Sequence, residues 1–199
     1  VTINDFLRSI SMKITLPEHI GEITLEQFQK FNILRQRTDL NDTEFGKRLI
    51  AIFTELKYKE IGNIKRKDYA DILAQIVKAV DLDGEFKQTF TMHGEKFGMI
   101  PNFDKMSMRE WTNLCKWEGD KIENYHRIMA ILYRPIASED KSGNYTLTNY
   151  EGTEEYHIKM LDLPMDIVNG VMVFFSLIAS ELQINIQAST SKEQAKKAQ

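Results

Sequence analysis

The stretch Phe97–Ile136, FGMIPNFDKMSMREWTNLCKWEGDKIENYHRIMAILYRPI, decides the fold. Its first residues finish a β-favouring run that Pro101 and Asn102 end. Ser107 followed three positions later by Glu110 is a capping box, in which each side chain satisfies the other residue's free backbone N–H. It starts a helix carrying Trp111, Leu114 and Cys115, which Gly119 breaks. Ile122, Tyr125, Ile128, Met129 and Leu132 then recur at helical spacing until Pro135, which lacks an amide donor and clashes backwards, forbids continuation. Strand end, helix and helix follow with almost no spare residues, which marks a fixed, compact fold. No set of residues in the block composes a reaction.

Working towards the N-terminus, FKQTF (86–90) and EKFGMI (95–100) flank His93-Gly94, where glycine supplies the positive φ of a hairpin turn, so a β-hairpin is expected. Before it lie three helices. Tyr69, Ile72, Leu73, Ile76, Val77 and Val80 form the most regular apolar stripe in the chain. Phe45, Leu49, Ile52, Phe53 and Leu56 form the second, with Asn41 and Glu44 as its cap pair, and Leu25, Phe28, Phe31 and Leu34 the first, started by the Thr24–Gln27 capping box. Residues 1–23 lack a sustained period and read as an N-terminal arm.

Towards the C-terminus, Ala137 to Thr148 is polar and ends in an alternating YTLTNY, which implies a loop and one short strand. A short helix is expected near Glu154 to Leu161, and Pro164 suits the first turn of a long final helix. The expected fold is therefore α+β, mainly α with a small β-hairpin or sheet: a three-helix part over 24–82 packed on an α+β part over 83–186, with a disordered polar tail over 187–199. The soft boundary falls near Asp81 to Glu85.

Composition excludes more than it selects. With 199 residues, 42% hydrophobic and 10% aromatic, the chain can bury a sizeable core. Its 26 basic and 29 acidic residues, net -3, offer no broad basic surface for nucleic acid. A lone cysteine excludes an intramolecular disulfide framework and a multi-cysteine zinc site. The N-terminus has no signal-peptide pattern, although the chain begins at Val1 rather than Met. Met165 to Leu182 is apolar, but Asp166, Asn169, Ser176, Ser180 and Gln183 interrupt it well short of the roughly 20 residues of a membrane span. Neither membrane nor nucleic acid is an expected partner.

Four constellations carry possible chemistry. Gly46-Lys47 before apolar residues resembles a phosphate loop, but Asn41 stands where the first glycine belongs and Arg48 where the magnesium-holding hydroxyl belongs. Cys115, between Leu114 and Trp117 on an apolar stripe, reads as a small core residue rather than a nucleophile. The basic run Lys65 to Lys67 is diluted by Glu60 and Asp68 and reads as a solvated helix entrance. Glu123-x-x-His126 and Glu154-x-x-His157 are the paired ligands of a ferritin-like di-metal centre, the alternative reading of this chain. That centre also needs inward carboxylates from two further helices, whereas Glu44, Glu55, Asp68 and Asp71 sit away from or beside the apolar stripes of helices two and three. No catalytic residue, cofactor or metal is therefore expected.

Taken in order, GEITLEQFQKFNIL, LIAIFTEL, GMIPNFDKMSMREW, HRIMAILYRPI, YTLTNYEGT and LDLPMDIVNGVMVFFSLIASEL resemble a family of tailed-bacteriophage proteins over about Gly21 to Leu182. In that family such chains look like morphogenesis or virion components, and the opening helices are similar in style to tail assembly chaperones. The resemblance implies a non-enzymatic protein that binds other phage structural proteins, most directly in tail assembly, as a homo-oligomer in the virion or in the host cytoplasm during assembly. A small phage regulator of host functions is a further alternative. Trp111, Trp117, Tyr133, Tyr145 and Tyr150 are the expected partner-binding residues, because aromatic side chains dominate such contacts.

Overall fold

The computed structural model describes residues 14–81, 83–117, 122–154 and 156–176. The first 13 residues of the expected arm, the break at Gly119, the final helix past Ser176 and the tail over 187–199 lie outside the described residues. The fold is mainly helical α+β, with a four-stranded antiparallel sheet. Between Asp81 and Leu82 the chain divides into two compact units.

The first unit is helical. After a 3-10 turn at Ile20–Glu22, α1 spans Leu25–Arg35, α2 Asp42–Phe53, the short α3 Tyr58–Ile61 and α4 Arg66–Ala79. The Thr24 hydroxyl accepts from Gln27 N at 3.2 Å and Gln27 Oε1 accepts from Thr24 N at 3.0 Å, completing the capping box. Gln27 Nε2 also donates to Ile52 O at 3.2 Å, so one cap ties α1 to the end of α2. Asn41 caps α2 by accepting from Glu44 N at 2.9 Å. Gly46 lies buried against Tyr69 of α4, whose hydroxyl occupies the space a Cβ would need. The glycine of the Gly46-Lys47 pair thus serves a close helix approach.

Three expectations need correction in this unit. Ile20 and Ile23 are buried, so the supposed arm joins the core before its expected end. Leu56 lies past the end of α2, where Thr54 takes extended backbone. Val77 is 66% exposed and Ala79 buried in its place, because Ile72, Ile76 and Ala79 share one line at i, i+4 and i+7 while Val77 lies about 100° from Ile76.

The second unit carries the sheet, with β1 at Thr89–Met92, β2 at Glu95–Met99, β3 at Tyr133–Glu139 and β4 at Tyr145–Leu147 in that spatial order. His93 and Gly94 have φ of 52° and 75°, as a two-residue type I′ hairpin turn requires. Helices α5, Met108–Trp117, and α6, Tyr125–Leu132, come between β2 and β3. α6 runs straight into β3, so the expected stop at Pro135 comes at Leu132 instead. Proline is tolerated there because its carbonyl accepts from Thr148 N at 3.0 Å, towards β4, so the missing donor costs no bond to β2.

The expected loop from Ala137 is the outer part of a β3–β4 hairpin. Its turn is organised by Asp140, which accepts from Ser142 N and Asn144 N at 2.8 and 2.9 Å. The helix expected near Glu154 to Leu161 is instead a turn followed by a 3-10 segment, Lys159–Asp162. Among the described residues the last helix, α7, covers 165–176, and Pro164 stands just before it, its carbonyl accepting from Ile167 N. Among the described residues no helix is long and apolar enough to cross a membrane.

Candidate protein-binding surface

At about 100° per residue, α5 has two faces. Met108, Trp111 and Cys115 share one side; Glu110, Asn113, Leu114 and Trp117 share the other. Two large apolar side chains stand on the outer side, and the inner side centres on a carboxylate. Met108 is 75% exposed and Trp111 54%, Cys115 is exposed and Leu114 half-buried, while Glu110 is the buried residue of the helix at 5%.

Polar contacts hold the helix this way round. Glu110 Oε1 pairs with Arg134 Nη2 of β3 at 2.8 Å, and Glu110 Oε2 accepts from Ser107 N at 2.6 Å. Ser107 Oγ accepts from Glu110 N at 3.2 Å. Asn113 Nδ2 donates to Tyr150 Oη at 2.8 Å, and the Arg127 guanidinium lies 4.6 Å from the Trp117 ring centre. The Arg134, Tyr150 and Arg127 contacts fall on the inner side, so Met108, Trp111 and Cys115 are left facing solvent.

Beside the N-terminus of α5 lies a cleft of about 520 Å³ whose lining includes Asn102, Lys105, Ser107, Glu110, Arg134, Thr148 and Tyr150. Arg134 crosses it, with its guanidinium 5.6 Å from the centre of the Tyr150 ring. Two buried polar atoms on this lining, Arg134 Nε and Thr148 Oγ1, have no hydrogen-bond partner. Phe103, also exposed, precedes the cleft and meets Phe175 edge-on at 5.6 Å.

The aromatic residues expected to bind partners separate. Trp111 lies on the exposed stripe, Trp117 is half-buried under Arg127, and Tyr150 lines the cleft. Tyr133 is fully buried, packs at a tilt against Phe90 and donates to Lys87 O at 2.5 Å, with burial pushing its hydroxyl pKa far up. It serves the core instead. Tyr145 is half-buried, donating to Met99 O at 2.7 Å. Cys115, expected in the core between Leu114 and Trp117, is exposed, since it falls on the outer side of α5 with Met108 and Trp111 while Leu114 and Trp117 are half-buried. Arg134, Lys105 and Thr148 were not singled out by sequence; the available signal was a lone arginine inside the apolar run of ILYRPI.

The two Glu-x-x-His pairs do meet. The rings of His126 and His157 are 5.3 Å apart, His157 Nε2 lies 3.2 Å from Glu154 Oε2, and Arg127 donates to Glu154 Oε1 at 3.0 Å. Burial, then the neighbouring His157 and Arg127, lower the pKa of His126, while Arg127 lowers that of Glu154. Glu123 reaches His126 through its backbone. Among the described residues, no three histidine, cysteine, aspartate or glutamate side chains converge as a metal site.

Comparison with known protein families, curated proteins and solved structures finds no match to this chain.

Proposed function

We propose that this protein is a non-enzymatic assembly component of a tailed bacteriophage, which binds other structural proteins of the particle, foremost during tail assembly. The observation that carries the reading is the exposure of Met108 and Trp111 together on α5. A helix held to its own fold by Glu110 and Asn113, with Met108 and Trp111 in solvent, has its apolar face free for another protein. Tryptophan at the centre of such a patch is a favourable anchor, since it contributes large apolar area at low entropic cost. Both oxygens of Glu110 are engaged in structural bonds, which argues against a role as a general base.

Mass spectrometry of purified particles and of assembly intermediates tests the proposal. Presence in the finished particle is expected of a virion component, and presence in intermediates alone of a chaperone. A strictly monomeric chain by light scattering, absent from both, overturns it.

A further inference from the structure

We infer that the outer face of α5 docks lengthwise on an amphipathic helix of another protein, one whose apolar row is edged by acidic residues. The inference rests on the protein-binding reading and names the chemistry of the partner.

Met108, Trp111 and Cys115 stand at i, i+3 and i+7, the spacing at which one helix lays an apolar seam along another. All three are exposed, Met108 by 75% and Trp111 by 54%. At 1.5 Å per residue the seam runs for about 10 Å, two helical turns, which suits a partner aligned with α5 better than a loop touching it at one point.

Charge selects the edge of that partner. At about 100° per residue, Arg109 and Lys116 fall almost in line on one flank of the seam. Both are exposed, and neither is paired with a carboxylate among the described residues. Glu110, the acidic residue of α5, is turned inward and engaged by Arg134 and Ser107. The exposed side of the helix therefore carries two cations and no anion. An acidic edge answers both. Each exposed pair adds little alone, so the apolar seam supplies the affinity and the charges supply the choice of partner. A second copy fits poorly. Paired face to face, it brings the same two cations and no acid, so neither charge gains a counter-ion.

The test uses the full chain and three labelled helical peptides, compared by fluorescence anisotropy. All three share one leucine seam and blocked ends, and carry Glu, Gln or Lys along the edges of the seam. The Glu peptide is expected to bind about fivefold tighter than the Gln peptide and the Lys peptide weaker still, with the preference fading as salt rises. Arg109→Glu with Lys116→Glu should invert the order in favour of the Lys peptide. Both positions are exposed, so the unfolding midpoint of the double variant should hold. Cys115, the lone thiol of the chain, locates the contact: a saturating Glu peptide should slow its reaction with a maleimide at least about fivefold.

Equal affinity for all three peptides, or an order that the double variant fails to invert, overturns the acidic partner and leaves apolar docking by Met108 and Trp111 standing. Binding of none, or binding that leaves the Cys115 rate unchanged, overturns docking at this face, while mass spectrometry of particles still judges the assembly role. Photocross-linking from position 111 to a second copy overturns the choice of occupant.

Discussion

Helices α5 and α6 follow one another in the same unit, and both carry apolar residues at helical spacing, yet they face opposite ways. In α6, Ile128, Met129, Ala130, Ile131 and Leu132 are buried. In α5 the buried residue is a glutamate. The difference lies in how each helix is attached. α6 continues without a loop into β3, so the strand sets its rotation and its last turn enters the core. α5 is attached by side chains, through the Glu110–Arg134 pair and the Asn113–Tyr150 bond, and these set the opposite rotation. Amphipathic periodicity therefore locates a stripe, and the anchoring bonds decide whether that stripe enters the core or faces solvent.

The contrast breaks most sharply at Glu110. Glu110→Ala leaves the Arg134 guanidinium buried without its counter-ion, and should cost about 3–5 kcal/mol in chemical denaturation. Replacing both, Glu110→Met with Arg134→Leu, should recover most of that loss, because paired apolar side chains need no counter-charge. On the other helix, Met129→Ala opens a cavity at a fully buried site and should cost about 2–5 kcal/mol by the same measurement. A glutamate would then rank with a core methionine, as its reversed position demands.

Smaller effects sharpen the comparison. Ser107→Ala removes the acceptor that caps Glu110 N and should lower stability by about 1 kcal/mol, read as a shift in denaturation midpoint. On the α6 side, His126 has its folded pKa lowered, by burial first and by His157 and Arg127 next. The unfolded chain then binds a proton more readily than the folded one. Stability should therefore hold above the unfolded value, about 6.5, and fall as pH drops from there towards the lowered folded pKa. The groups that act on it are His157, Arg127 and the Glu123 backbone, and His126→Asn should flatten that portion of a stability–pH curve.

Much of this fold was legible in the chain. Thr24 with Gln27, and Ser107 with Glu110, make the capping boxes their spacing implies, because such caps depend on neighbours in sequence alone. His93-Gly94 forms the hairpin turn for the same reason. What stayed hidden depended on distant partners. The pairing of β3 with both β2 and β4, the departure of Val77 from the buried stripe, and the exposure of Cys115 follow from tertiary contacts that periodicity does not encode. Of the candidate surface, Trp111 was readable as an aromatic on a stripe. Arg134 was not, since its role depends on Glu110, a residue that sequence read only as a cap.

The most direct test of the central claim, that the apolar stripe of α5 exists for a partner and not for the fold, joins stability and assembly in one variant. Met108→Ala with Trp111→Ala should leave the denaturation midpoint within about 0.5 kcal/mol of the parent, since both side chains stand in solvent, while particle-associated chain in mass spectrometry of assembly intermediates disappears. A loss of more than about 2 kcal/mol, or undiminished association, would contradict the account.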